Sequence, residues 1–344
     1  MYQIRAVTED GEEIAFECGP NEDVISAGFR NSIILMSSCR EGGCATCKAE
    51  CDDGDYELAK CSVQALPPDE EEDGMVLLCQ TFPRSPLHLK LPYTYDRISF
   101  GQIRQEWAAD IAVCDKVSSN VVRLVLRTLD ARSGAPVAMP FFPGQFVDIE
   151  VPGQHATRSY SMATIPGSAE LEFFIRILPG GLFSEYLTRR ADIGQRLTLR
   201  GPSGAFGLHE NGLRPRFFVA GGTGLSPVLS MVRHMGQERH PQPAALLFGV
   251  THEHELFYHK ELLSLAKDMP NLSVHISIMQ PTDSWSGQRG TVVDALREQL
   301  DVANIAPDIY LCGPPGMIEA TMAVGSARGI PENQIYSEKF LPSG

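Results

Sequence analysis

Apolar and polar residues alternate along 3–7 and again along 13–16, with Asp10-Gly11 between them, which predicts a β-hairpin. A short helix is expected over Val24–Arg30, then a cysteine-rich loop, then strands over 75–79 and 87–91. The stretch LPYTYDRISFG, 91–101, has no clear period and reads as a linker. Beyond it strand patterns dominate, at 121–126, 146–151 and 171–177. Their alternation, with turn signals between, predicts an antiparallel barrel that ends near GPSGAFGL, 201–208. From about 211 the rhythm becomes strand, glycine turn, helix. Apolar strands at 216–220, Ala244–Val250, Leu272–Ile278 and 308–311 predict a parallel sheet with helices on both faces. The expected organisation is three domains, 1–98, 99–210 and 211–344, without internal repeats.

The 344 residues, 43% of them hydrophobic, suit two or three globular domains with proper cores. No apolar run approaches the ~20 residues of a membrane span. The N-terminus enters a strand pattern without a signal-peptide layout, so a cytoplasmic location is expected. Charge is uneven: residues 1–98 hold 8 Lys/Arg against 19 Asp/Glu, a net −11 of the chain's −14. Nucleic acid and anionic membranes are disfavoured as partners, and a basic protein surface is favoured. Asp69-Glu70-Glu71-Glu72-Asp73 is the densest acidic run, although by itself it reads first as a solvated loop.

Seven of the nine cysteines precede residue 80. In a cytoplasmic chain that points to metal or redox chemistry rather than disulfides. Cys39, Cys44 and Cys47 follow C-x4-C-x2-C, and Cys79 stands thirty-two residues further on, which is the plant-type 2Fe–2S spacing. Gly42 and Gly43 would let the backbone wrap closely and aim N–H groups at the sulfurs. Four cysteines also suit zinc, but the x4 gap and the EGG between the sulfurs fit a zinc knuckle poorly. Cys18, Cys51, Cys61 and Cys114 fall outside the pattern and are expected as small buried residues, with Cys51 nearest the loop.

Two further segments carry chemistry. RSYSMA at 158–163 is followed by IRILPGGLFSEYL at 175–187, a strand, a glycine loop and a helix expected to begin near Ser184. FFVAGGTGLSPVLSMV at 217–232 and YLCGPPGMIEA at 310–320 are strands that end in glycine-rich turns before helices, an arrangement suited to a pyrophosphate. Together these resemble the ferredoxin–NADP reductase superfamily, here with an N-terminal plant-type ferredoxin domain. The resemblance implies a β-grasp 2Fe–2S domain, an FAD-binding barrel and an NADH-binding α/β domain. In the element Arg158-Ser159-Tyr160-Ser161 it gives the flavin pyrophosphate to Arg158, the ring face to Tyr160 and the vicinity of flavin N5 to Ser161. Arg176, Gly181 and Ser184 would complete the pyrophosphate site, although Ser184 alone would read as a helix cap. Gly221, Gly222, Thr223 and Gly224 would meet the dinucleotide. Cys312 would stand beside nicotinamide C4, with Gly313 and Pro314 shaping its pocket. In the C-terminal YSEKFLPSG, Glu338 would join Ser161 and Cys312 at the point of hydride transfer. Phe340 would cover the flavin, unless it is plain core. No arginine in GVTHEHELFYHKEL, 249–262, would clamp a 2′-phosphate, and Glu253 and Glu255 would repel one, which favours NADH.

The order ferredoxin, flavin, nicotinamide resembles bacterial oxygenase reductases. The acidic ALPPDEEE and the terminal EKFLPSG resemble those of soluble methane monooxygenases in particular. The implied activity is electron passage from NADH through FAD and the 2Fe–2S cluster to a di-iron hydroxylase, docked on the acidic ferredoxin domain by a monomeric reductase. Reductases of phenol, toluene or alkene monooxygenases, and a redox-sensing module, are the alternatives. The chain has no E-x-x-H pair of the di-iron type, so oxygen activation is expected elsewhere.

Overall fold

The computed structural model describes residues 1–37, 40, 42, 43, 45–101, 105–209 and 212–340. The chain forms two compact units, residues 1–105 with 202–209, and 106–201 with the chain from 210 onward. No helix among the described residues is long and apolar enough to cross a membrane.

The first unit is a five-stranded sheet in the order Glu13–Cys18, Tyr2–Val7, Leu87–Lys90, Lys48–Asp53, Met75–Leu77. The predicted hairpin is present, and Tyr2–Val7 also pairs in parallel with Leu87–Lys90. Alternation places Ile4, Ala6, Ile14 and Phe16 inside, where the helix Val24–Arg30 adds Val24, Ile25 and Phe29. Each of the buried Val, Ile and Phe side chains contributes about 1.5–3 kcal/mol. Asp23 caps that helix by accepting the Ser26 N–H at 2.9 Å, a contact worth about 1 kcal/mol. This is the expected β-grasp arrangement, with two differences. Cys79 lies in a 3-10 turn, Leu78–Gln80, rather than on the strand, which stops at Leu77. The segment read as a linker is pinned at its end, where Ser99–Phe100 pairs with Ile33–Ile34. The acidic run forms a short helix, Pro68–Glu72, with no buried residue and with Glu70 paired to Lys48.

The second unit opens with a six-stranded antiparallel sheet in the order Thr157–Ser161, Phe146–Glu150, Arg196–Ser203, Gln105–Lys116, Val121–Leu129, Glu170–Arg176. The Ala163 N–H donates to the Glu172 carbonyl at 2.8 Å and draws the two edge strands together, so the sheet nearly closes as a barrel. Its inside is filled by Leu124, Leu126, Val147, Ile149, Phe173 and Leu199.

The remaining sheet is parallel, in the order Gln288–Arg289, Leu272–Ile278, Ala244–Val250, Arg216–Gly221, Asp308–Gly313, Ile335–Lys339. Its central strands are buried along nearly their whole length, as a sheet covered on both faces requires. The chain builds outward from Arg216–Gly221 and then returns to place Asp308–Gly313 on that strand's other side. This creates a topological switch point at the carboxyl ends of the two strands, the place where such folds bind ligands.

Candidate functional site

The switch point explains why GGTG and CGPP, some ninety residues apart in sequence, face one another. Ala220 pairs with Cys312 across the two strands. A Cβ on Gly224 would stand 2.2 Å from the Cys312 carbonyl oxygen, and one on Gly221 would stand 2.7 Å from the Met317 sulfur. Gly313 is also closed in, with the Met317 methyl 2.8 Å from its hypothetical Cβ. These three glycines let the turns touch. Gly222 differs: its φ is +55° and a Cβ there would meet nothing within 4 Å, so its backbone faces open space. The turn Gly222–Gly224 leads into the helix Leu225–Gln237, and Pro314 caps the helix Pro315–Ala327. Neither helix has an acidic residue in its first turn or a side-chain cap, so two positive helix ends converge without a counter-charge. Thr223 lies within the first of these turns. That arrangement suits an anionic dinucleotide.

Three predicted residues meet beside it. The Ser161 hydroxyl, at the end of the barrel strand, donates to Glu338 Oε2 at 3.2 Å. Cys312 pairs with Glu338 in the parallel register of Ile335–Lys339, and all three side chains are buried. Burial, and then the Glu338 charge, push the Cys312 thiol well above its ordinary range, so it is a neutral, compact group and not a nucleophile. The half-buried Phe340 is anchored by its N–H donating to the Gly313 carbonyl at 3.0 Å.

On the strand Thr157–Ser161, Arg158 and Tyr160 share one face by the two-residue period. The Tyr160 ring lies 5.3 Å from Phe183, and burial pushes its phenol up. Ser159 faces the other way and donates to Asp148 Oδ1 at 2.5 Å, so its hydroxyl braces the barrel. Arg176 stands exposed at the end of its strand. Leu178 to Gly181 form a turn in which the Gly181 N–H donates to the Leu178 carbonyl at 3.1 Å, with Gly180 at φ +73° after Pro179. The helix begins at Leu182 with Gly181 as its cap, not near Ser184. Ser184 is buried and accepts the Leu178 N–H at 3.0 Å, stapling the turn rather than capping the helix. A glycine cap brings no side chain, and so the first-turn N–H groups are open to a phosphate. The residues therefore fit FAD.

In the first unit, Cys47 and Cys79 are both buried and are joined through the Leu78 N–H, which donates to the Cys47 carbonyl at 3.0 Å. Arg40, Gly42 and Ala45 all have positive φ, between +57° and +71°, which wraps the loop tightly. A Cβ on Gly42 would stand 2.5 Å from the Lys60 carbonyl. One thiol at the end of this glycine-dependent loop, Cys47, and a second, Cys79, in the 3-10 turn bonded to it fit an iron–sulfur cluster; Cys39 and Cys44 lie outside the described residues. Of the cysteines outside the pattern, Cys18 is buried as expected, whereas Cys51, Cys61 and Cys114 are only half-buried. Cys18 donates to the Glu22 carbonyl at 3.2 Å and Cys51 to that of Asp53 at 3.5 Å. Burial first of all raises these thiols, to about 12 for Cys18 and about 11 for Cys51.

Family models describe the same parts. A 2Fe–2S iron–sulfur cluster binding domain matches residues 7–84, an oxidoreductase FAD-binding domain 109–207, and an oxidoreductase NAD-binding domain 218–323. The chain is 56% identical over 304 residues, 88% of its own length and 88% of the relative's, to methane monooxygenase component C of Methylosinus trichosporium. The chain belongs to the methane monooxygenase component C family. It is similar more distantly, at 35% identity over 99% of each chain, to the toluate 1,2-dioxygenase electron transfer component of Pseudomonas putida. Among solved structures it is similar to an Amycolatopsis cytochrome P450 reductase, with a TM-score of 0.84 and 25% identity over 99% of this chain and 100% of the other. The chain is thus an oxidoreductase with 2Fe–2S, FAD and NAD domains.

Reading motifs alone passed over Met317, which packs on both Gly221 and Gly313, and Asp148, which fixes Ser159. The structure also separates the two glutamates near the expected ribose site. Glu255 accepts the N–H groups of Thr251 and His252 at 3.1 Å and the Asn120 amide at 2.8 Å. Glu253 accepts the Thr282 hydroxyl at 2.6 Å.

Proposed function

We propose that this chain takes reducing equivalents from NADH and delivers them singly to the di-iron hydroxylase of a soluble methane monooxygenase, which converts methane to methanol. The observation that carries this reading is the 56% identity to a methane monooxygenase component C across 88% of both chains. When bound, the flavin supplies the conversion between hydride and single electrons, and the cluster holds one electron at a time.

The chain's own residues orient and shield. Arg158, Arg176, Gly181 and the open helix start at Leu182 hold the FAD pyrophosphate, Tyr160 covers the ring, and Ser159 and Ser184 keep these elements in place. Gly221, Gly222, Thr223 and Gly224 hold NADH, with Gly313 and Pro314 at its nicotinamide end. Ser161, Cys312 and Glu338 form a buried, water-poor wall at the transfer point, where the neutral Cys312 offers bulk without charge. Phe340 screens the flavin. We assign the ribose 2′-hydroxyl to Glu253, whose carboxylate accepts the Thr282 hydroxyl, because that of Glu255 accepts three bonds, two of them from its own turn. Cys39, Cys44, Cys47 and Cys79 hold the cluster. The acidic ferredoxin domain of a monomeric, cytoplasmic reductase meets a basic face of the hydroxylase.

The test is reconstitution. The cofactor-loaded chain, NADH, the methane monooxygenase hydroxylase and its regulatory protein are mixed and propene epoxidation is measured, with cytochrome c reduction as the control. Epoxide with that hydroxylase but not with a phenol hydroxylase oxygenase supports the reading. Reduced cytochrome c without epoxide would assign the reductase to another oxygenase.

A further inference from the structure

Where the barrel meets the nicotinamide-binding sheet within the second unit, one carboxylate is gripped from both sides. The Glu172 side chain, on Glu170–Arg176, is 10% exposed. Its Oε1 accepts from Arg123 Nε on the neighbouring barrel strand at 2.6 Å and also from the Tyr258 hydroxyl. Its Oε2 accepts from Arg233 Nη1 at 2.7 Å. Arg233 belongs to Leu225–Gln237, the helix that begins at the GGTG turn, and Tyr258 caps the helix His259–Asp268. The same Arg233 nitrogen donates to the Ala163 carbonyl at 2.8 Å, two residues past Ser161. Ser230, one turn earlier on that helix, donates to the Thr164 carbonyl at 2.5 Å.

The arrangement is held against resistance. Tyr258 has φ +60°, a backbone region that a bulky residue rarely adopts, and its ring sits between Phe174, at 4.6 Å, and the Arg233 guanidinium, at 5.6 Å. Burial pushes the Glu172 carboxyl up, but the Tyr258 and Arg233 hydrogen bonds and the Arg233 charge outweigh it and hold the group below its usual range. Apolar contact supports this network on one side only, where Phe174 of the barrel strand meets Phe257 at 4.9 Å. A cavity of about 600 Å³ opens beside it, bordered by Thr164, Ile165, Gly236, Leu265 and Met269, so contact between the two halves is interrupted there.

We propose that Glu172 is a positioning residue for hydride transfer, tying Arg233 and Tyr258 to the barrel so that the GGTG helix and its dinucleotide stand in register with Ser161. The proposal rests on the function given above and adds the group that aligns its two halves. A helix is stiff over its three turns, so a shift at Arg233 carries its N-terminal turn with it, and small misplacements of reacting groups are costly in rate.

The test uses the full, cofactor-loaded chain. Anaerobic mixing with NADH reads the flavin-reduction rate at saturation. NAD+ added to the reduced protein reads the long-wavelength absorbance of nicotinamide stacked on flavin. FAD content and the thermal midpoint report the fold. Glu172→Gln keeps the shape and removes the charge; reduction about tenfold slower at saturating NADH, a weaker long-wavelength band and unchanged FAD content are expected. Arg233→Met is expected to give the same loss, and the double variant no more than either single. Glu172→Gln that lowers only the thermal midpoint while reducing at the wild-type rate overturns the proposal. If that variant loses FAD, Tyr258→Phe decides: reduction at least threefold slower supports the proposal, and an unchanged rate overturns it. A wild-type chain that does not oxidise NADH refutes the proposed function itself.

Discussion

Gly224→Ala is the sharpest probe of the meeting between the two glycine turns. The added Cβ would stand 2.2 Å from the Cys312 carbonyl oxygen and 2.5 Å from its carbon, against an ordinary contact that begins at 3.4 Å. The obstacle is backbone in the central strands of a covered parallel sheet, so the GGTG turn and the Cys312 strand end must separate by roughly 1 Å. Overpacking of this kind costs about 1–3 kcal/mol, and rigid backbone places this site at the upper end. In a unit of this size about 3 kcal/mol lowers the thermal midpoint by roughly 6–12 °C. A displacement of about 1 Å between dinucleotide and flavin slows the chemical step by about 10²-fold. Gly316→Ala is the control, since its Cβ would meet nothing within 4 Å and it lies inside the helix Pro315–Ala327. It stands in that helix's first turn and serves as a control for folding alone, where the thermal midpoint should stay at or slightly above the wild-type value. The assay is anaerobic stopped-flow flavin reduction by NADH beside thermal unfolding of the FAD-loaded protein. A Gly224→Ala protein with wild-type midpoint and rate would refute the reasoning that close approach, rather than chance, keeps this residue glycine.

Other consequences follow from the same structure. Cys47→Ser and Cys79→Ser should each abolish the visible absorption of the cluster while NADH still reduces the flavin, whereas Cys61→Ala should keep it; absorption spectra of the purified variants check this. Glu253→Ala should narrow the preference for NADH over NADPH by about tenfold, a loss of roughly one charge-assisted contact, and Glu255→Ala should instead lower the thermal midpoint. Cys18 and Cys51 hold their protons up to about 12 and 11, while unfolded thiols release theirs near 9. The folded state therefore keeps more protons above pH 9, and stability should fall from there toward pH 12, with a shallower slope in Cys18→Ala by denaturant titration. Steady-state epoxidation with the hydroxylase should fall as salt rises from low to high ionic strength, because residues 1–98 carry net −11; a flat profile would remove the electrostatic docking argument.

The cofactor motifs were legible in the sequence because each is local. C-x4-C-x2-C, Arg-x-Tyr-Ser and GGTG are short runs that can be recognised within a few residues of chain, and hydropathy alternation placed most of the strands around them. Tertiary structure was needed wherever a role depends on what stands opposite. Gly221, Gly224 and Gly313 are required by one another's strand ends, while Gly222 alone of that turn faces open space. Ser184 turned out to staple a loop because Leu178 folds back on it, and Ser99–Phe100 pairs with a strand more than sixty residues earlier. Glu253 and Glu255 are indistinguishable in a string of letters; only hydrogen bonds from Thr251, His252 and Asn120 separate them. Glu172 left no signal at all. In Leu171-Glu172-Phe173 it reads as the polar phase of a barrel strand, and it becomes a buried, doubly gripped carboxylate only when the helix carrying Arg233 and the turn carrying Tyr258 are packed against that face. Sequence periodicity reports which face a residue occupies, whereas its charge partners are set by contacts between distant segments, which exist only in the folded chain.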